Sequence, residues 1–162
     1  MNTVTKRLVG VITASFALAM ICPAAAAADV TLIVFEHDTQ QHFVDNNEPG
    51  PGPGDQFLFT GDLFDRPGGV FLGTNAGVCT TISGDETGGQ TSCHGAFNLA
   101  GGQVMVNGVV DSAALFVRSE PCPFAITGGT GIYRTARGDG TIQIVPNVPN
   151  QTDANFVLNV TG

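Results

Sequence analysis

The chain has 162 residues, with 6 lysines and arginines against 14 acids and a formal net charge of −8. That balance repels phosphate backbones and anionic lipid surfaces, so neither nucleic acid nor membrane is an expected partner. A hydrophobic content of 43% argues against a disordered chain and for a packed core.

Residues 1–28 read as a secretory signal peptide. Lys6-Arg7 supplies a positive start, Leu8 to Ile21 a short apolar run, and Ala24 to Ala28 a small-residue cleavage region. The run is too short and wrongly flanked for a stable membrane span. Cleavage near Ala28 leaves one domain over 29–162, expected to be secreted or periplasmic. Its four arginines face fourteen acids, a formal balance of −10.

Val30 to Glu36 is rich in β-branched residues and reads as the first strand, closed by Glu36-His37-Asp38. Asp45 to Asp55 carries alternating prolines and glycines and reads as an irregular loop. In Gln56 to Leu63 the residues alternate: Phe57, Phe59 and Leu63 share one face, and Gln56, Thr60 and Asp62 the other. Further strands are expected at Ala76–Ile82, Thr91–Leu99, Gln103–Val109, Cys122–Thr127, Thr135–Val145 and Ala154–Val160. Ala113 to Val117 reads as an extension of a neighbouring strand. No long helical period bounded by caps is found, so the class is all-β.

The cysteines suit an oxidising compartment. Cys22 leaves with the leader, and Cys79, Cys93 and Cys122 remain, enough for one disulfide and one free thiol. Cys79 and Cys93 lie seven residues either side of Glu86, the midpoint of a hairpin about Gly84 to Gly89. Facing residues approach within about 4.5–5.5 Å in an antiparallel pair, which makes a Cys79–Cys93 disulfide the expected pairing.

Several chemistries lack their required context. Gly129-Thr-Gly131 is followed by no amphipathic helix, and no lysine follows it to make a phosphate loop. No serine sits in a nucleophile elbow, so triad hydrolysis has no support. His37, His42 and His94 come without a paired-histidine helix or cysteine cluster, so no metal site is expected. Glu36, His37 and Asp38 are the residues a weakly held cation would use.

Phe124-Ala-Ile-Thr-Gly-Gly-Thr-Gly-Ile-Tyr-Arg-Thr-Ala-Arg-Gly138 resembles the glycine-arginine signature of dirigent proteins, and its Ala125 to Gly129 is similar to the allene oxide cyclases. A second block, Gly54 to Phe64 followed by Thr74 to Ile82, occurs in the same order. Its Asn75-Ala-Gly-Val-Cys79 is similar to the cyclase segment bearing a pocket cysteine. The resemblance spans roughly Val30 to the C-terminus and implies an eight-stranded antiparallel β-barrel with a ligand cavity, working without a cofactor. It also implies a homo-oligomer.

The resemblance places Arg137 at the cavity border as the preferred catalytic arginine. A buried guanidinium needs a carboxylate, which Glu36, Asp55 or Asp62 from neighbouring strands would supply. That pair is either catalytic, with Glu36 or Asp62 as the acid, or a structural ion pair closing the barrel. Asp55, Phe57, Phe59, Cys79, Tyr133 and Arg134 are the expected ligand-binding residues. Arg134 and Arg137 are three apart, so on a regular strand only one faces inward. Cys79 is either a pocket thiol or half of a disulfide. Aligning the Glu-x-Asp ends puts Ile33 and Phe35 where the plant cyclases carry an acid and an asparagine; a shifted alignment uses Glu36. The expected function is binding an apolar, oxygenated small molecule, with a cofactor-free cyclase or isomerase as the leading reading. The alternatives are a non-catalytic carrier of a lipid or phenolic ligand, or a structural protein with a filled barrel.

Overall fold

The structure, a computed structural model, describes residues 29–46, 50–85, 87–146 and 152–162. Residues 1–28, where a signal peptide is expected, the hairpin midpoint Glu86 and part of the proline-glycine loop lie outside the described residues. Eight strands form a closed barrel in chain order: β1 Val30–Val44, β2 Gln56–Phe64, β3 Phe71–Asp85, β4 Gly88–Leu99, β5 Gly102–Asp111, β6 Cys122–Gly129, β7 Arg137–Ile144 and β8 Ala154–Thr161. Each strand is antiparallel to the next, and β8 returns to β1. Closure removes the exposed strand edges.

Two elements differ from the sequence reading. The first strand does not close at Asp38; it passes a register shift between Asp38 and Gln40 and runs on to Val44. Ala113 to Val117 is not strand. Ser112–Phe116 forms a short helix, α1, whose N-cap Asp111 accepts a hydrogen bond from the Ala114 backbone at 2.7 Å. Asp at the cap followed by Ala-Ala-Leu carries that helix, because the cap satisfies an orphan N–H and the alanines lose little entropy.

The up-and-down order gives the barrel two unlike ends. The β2–β3, β4–β5 and β6–β7 connections meet at one end. There Val34, Leu63, Phe97, Val104, Phe124, Phe156 and Leu158 form a solid core. Phe97 and Phe124 each stand edge-on to Phe156, with centroids 5.0 and 6.3 Å away. Large rings fit because inward-facing glycines lie beneath them: a Cβ on Gly140 would stand 2.4 Å from Phe124. At the other end Pro51 and Asp55 after β1, Thr87 between β3 and β4, Phe116 of α1 and Thr152 before β8 border an opening. One end is plugged and the other open.

Candidate functional site

The open end holds a cavity of about 330 Å³, with Asp55, Phe57, Cys79, Thr91 and Phe116 in its wall. Two smaller spaces continue inward. One of about 30 Å³ is bordered by Glu36 and Asp38, and one of about 50 Å³ by Phe59, Asn75, Phe97 and Phe124. Cys79 lines all three. Phe57 stacks on Phe59 at 6.0 Å and meets Phe116 edge-on at 6.1 Å, so the approach is aromatic.

Strand alternation sends Glu36 and Asp38 of β1 into the interior, where they are 3% and 6% exposed. Asp38 lies opposite Gly61 on β2, and Gly61 opposite Asn75 on β3. The glycine leaves a niche that the Glu36 carboxyl occupies: a Cβ on Gly61 would stand 2.5 Å from Glu36 Oε1 and 2.9 Å from Asn75 Oδ1. Burial pushes the Glu36 carboxyl up to about 8, against the lowering effect of an Asn75 hydrogen bond and with help from the charges of Asp38 and Asp153. At neutral pH Glu36 therefore keeps its proton and can donate it. A carboxylic acid thus borders the inner space of about 30 Å³, whose lining includes Phe57, Phe59 and Phe116.

Other residues brace this row. Asp153 accepts from the Asp38 backbone N–H at 3.0 Å and lies 3.2 Å from His37 Nδ1. Gln41 Nε2 donates to Asp38 Oδ2 and, at 2.6 Å, to Thr152 Oγ1. Asp38 Oδ1 and Asn75 Oδ1 are buried and have no hydrogen-bond partner. Among the described residues no group of three His, Cys, Asp or Glu side chains converges as metal ligands.

The structure brings together Glu36, Phe57, Phe59 and Cys79 of the residues expected from sequence. Cys79 and Cys93 are register partners joined by a disulfide, and Cys122 is free and buried. The Cys79 sulfur is therefore wall, not thiol. Asp55 reaches the cavity edge, but its carboxyl accepts the backbone N–H groups of Asn46 at 3.0 Å and Gly52 at 2.7 Å, which ties down the mouth loop.

Four expected residues lie elsewhere. Asp62 faces the outer wall beside His37, as the alternation of β2 requires. Arg137 is exposed, and its Nη1 donates to the Ala136 carbonyl at 2.6 Å. It begins β7 at the plugged end. Glu36 is level with Ile144 through Ala154, and the seven residues from Ile144 to Arg137 span about 23 Å. Arg134 caps a 3-10 turn at Gly131–Tyr133 and is also exposed, so strand alternation does not govern it. Tyr133 packs against the plugged core and donates to the Ala100 carbonyl at 3.4 Å.

The glycines of that signature have a structural purpose. Gly131 sits at φ +60°, where a Cβ would stand 2.0 Å from the Gly101 carbonyl, and Ile132 N–H donates to that same oxygen at 3.0 Å. They lock the β6–β7 turn onto the β4–β5 turn. Ile33 and Phe35 point outward, so the shifted alignment is the one that places an acid, Glu36, inside. Asn75, Asp153 and Phe116 were not singled out. Asn75 was legible, four residues before Cys79 on the same strand face.

A family model described as the allene oxide cyclase barrel like domain matches residues 33–158. The chain belongs to this family. No curated protein sequence matches it. Among solved structures, this allene oxide cyclase-like barrel is similar to a pyocyanin demethylase, with 23% identity, a TM-score of 0.66, and coverage of 82% of this chain and 100% of that one. It is similar to an exo-specific intermolecular Diels–Alderase at 15% identity and TM-score 0.63, covering 83% and 99%. A pterocarpan synthase dirigent protein gives 21% identity and TM-score 0.62, covering 85% and 99%. These likenesses establish the barrel.

Placement of the arginine has a measurable consequence. Arg137→Leu is expected to change unfolding free energy by no more than about 0.5 kcal/mol, as for an exposed side chain without a buried partner. Denaturant unfolding of the variant checks this. A loss several times larger would show the guanidinium holding the plugged end together.

Proposed function

We propose that the barrel binds an apolar small molecule bearing a polar atom and acts on it as a cofactor-free cyclase or isomerase. The observation that carries this reading is Glu36: 3% exposed, protonated at neutral pH, and bordering an inner space lined by Phe57, Phe59 and Phe116. An acid that reaches a substrate polar atom in a dry site polarises it or hands over its proton, while rigid walls fold the molecule into a reactive shape. Asn75 fixes the orientation of that acid. The absence of Arg137 from the cavity leaves Glu36 as the group that performs proton chemistry.

Family membership supports the reading, as do similar barrels named as a Diels–Alderase, a demethylase and a dirigent pterocarpan synthase. A wholly filled barrel is disfavoured by the open-end cavity, and a wholly apolar carrier by the buried acids. The proposal places the mature chain outside the cytoplasm, which the leader-like sequence of residues 1–28 and the disulfide favour.

Native mass spectrometry of protein purified from its producing cells tests the reading. The expected result is one retained organic molecule per barrel, with extracts converted by the wild type and not by Glu36→Gln. Conversion unchanged in that variant would remove Glu36 from the chemistry, and empty barrels in untreated protein would remove the ligand.

A further inference from the structure

Resting on the small-molecule reading above, we propose that the Asp38–Asn75 row selects ligands whose head is a positively charged, hydrogen-bond-donating nitrogen on an aromatic body. Asp38 Oδ1 and Asn75 Oδ1 are acceptors on side chains 6% and 4% exposed, both without a partner; Asp38 borders the inner space of about 30 Å³ and Asn75 the adjoining one of about 50 Å³. A buried acceptor left unpaired is costly, and only a donor restores the loss. Water or a neutral hydroxyl offers donors; an ammonium offers donors and charge together.

Among the described residues no lysine or arginine reaches this row. The single lysine of the sequence, Lys6, and Arg7 lie outside the described residues. Arg134 and Arg137 are at the plugged end. Arg66 lies in the β2–β3 connection at that same end, 2.9 Å from Asp65, and Arg118 lies outside the mouth, 2.9 Å from Glu120. The interior thus collects Asp38 and Asp153 around neutral Glu36, with Asp55 at the rim and His37 half-exposed on the outer wall against Asp153. A carboxylate head would enter against all of these charges, whereas a cation is drawn in. Phe57, Phe59 and Phe116 line the same space as Asp38, and aromatic rings attract a cation. Among the described residues the acids do not converge as a metal ligand set, and the aromatic lining suits an organic cation.

Three probes sharing one naphthalene body separate the outcomes: naphthylmethylamine, naphthylmethanol and naphthoate, titrated calorimetrically into the purified protein. The amine is expected to bind at least about tenfold tighter than either of the others. Asp38→Asn should bring the amine to the level of the alcohol and leave the alcohol within about twofold. The head-group comparison uses unaltered protein, so it stands whether or not the variant folds. Naphthoate or the alcohol matching the amine overturns the proposal, as does an Asp38→Asn protein that folds and keeps its amine affinity. Equal binding of all three leaves the small-molecule reading standing while the head-group selection fails; binding of none overturns both.

Discussion

Glu36→Gln is expected to be more stable than the wild type at pH 7 by about 3 kcal/mol, with the difference vanishing near pH 4. The sign follows from the two protonation states. The carboxyl titrates at its ordinary value of 4.5 when unfolded and at about 8 when buried against Gly61 and Asn75. Below pH 4.5 both states hold the proton and it contributes nothing to pH dependence. Between 4.5 and about 8 the unfolded chain has released a proton that the folded chain keeps, so stability falls as pH rises, by about 1.4 kcal/mol per unit. Above about 8 both states are ionised and the penalty is constant. Glutamine keeps the shape and the capacity to bond Asn75 but does not titrate. Thermal melts of both proteins from pH 4 to pH 9 should therefore diverge, by roughly 10 °C at neutral pH. Parallel curves would show that Glu36 is solvated or partnered in a way that leaves its carboxyl unperturbed. A residue that destabilises the fold where a neutral isostere would not is what a functional acid looks like, since stability and activity are commonly traded at such sites.

The architecture was legible because barrel strands announce themselves. β2 alternates cleanly, and the same alternation puts Phe57 and Phe59 inside and Asp62 outside. Counting parity on β1 likewise separates Glu36 from Ile33 and Phe35. What local pattern could not carry was the level of a residue along the barrel axis. The glycine-arginine segment looked like a site because it concentrates unusual residues. Only the closed register shows that β6 and β7 meet there at the plugged end, while the acids of β1 sit near the other. The Asp38–Gly61–Asn75 row was hidden for the same reason, being three residues from three strands that are far apart in sequence and adjacent only through pairing. The continuation of β1 past Asp38 depends on a bulge, which disrupts the alternation that a sequence pattern follows.

Reduction of the Cys79–Cys93 disulfide, or its replacement by Cys79→Ala with Cys93→Ala, is expected to cost about 3 kcal/mol of stability, the chain-entropy value for a closed loop of this length. The two residues are 14 apart and directly opposite on β3 and β4. The bridge therefore limits the freedom of a short hairpin in the unfolded chain while fitting the register of the folded one. The loss should appear as a lower denaturant midpoint with little change in slope, because the folded surface is preserved. Cys122 supplies an internal control. Burial and the nearby acids Asp111 and Glu120 push its thiol up, so it is a poor nucleophile in the folded barrel. With the disulfide intact, thiol labelling of Cys122 should track global unfolding. In the Cys79→Ala, Cys93→Ala protein it should accelerate by about two orders of magnitude, the factor that 3 kcal/mol implies when labelling follows the open population. A midpoint that does not move would mean that the hairpin is already ordered in the unfolded ensemble. Labelling that speeds up without loss of stability would instead place the effect in the cavity wall, where the bridge separates the mouth from the spaces around Asn75 and Phe97.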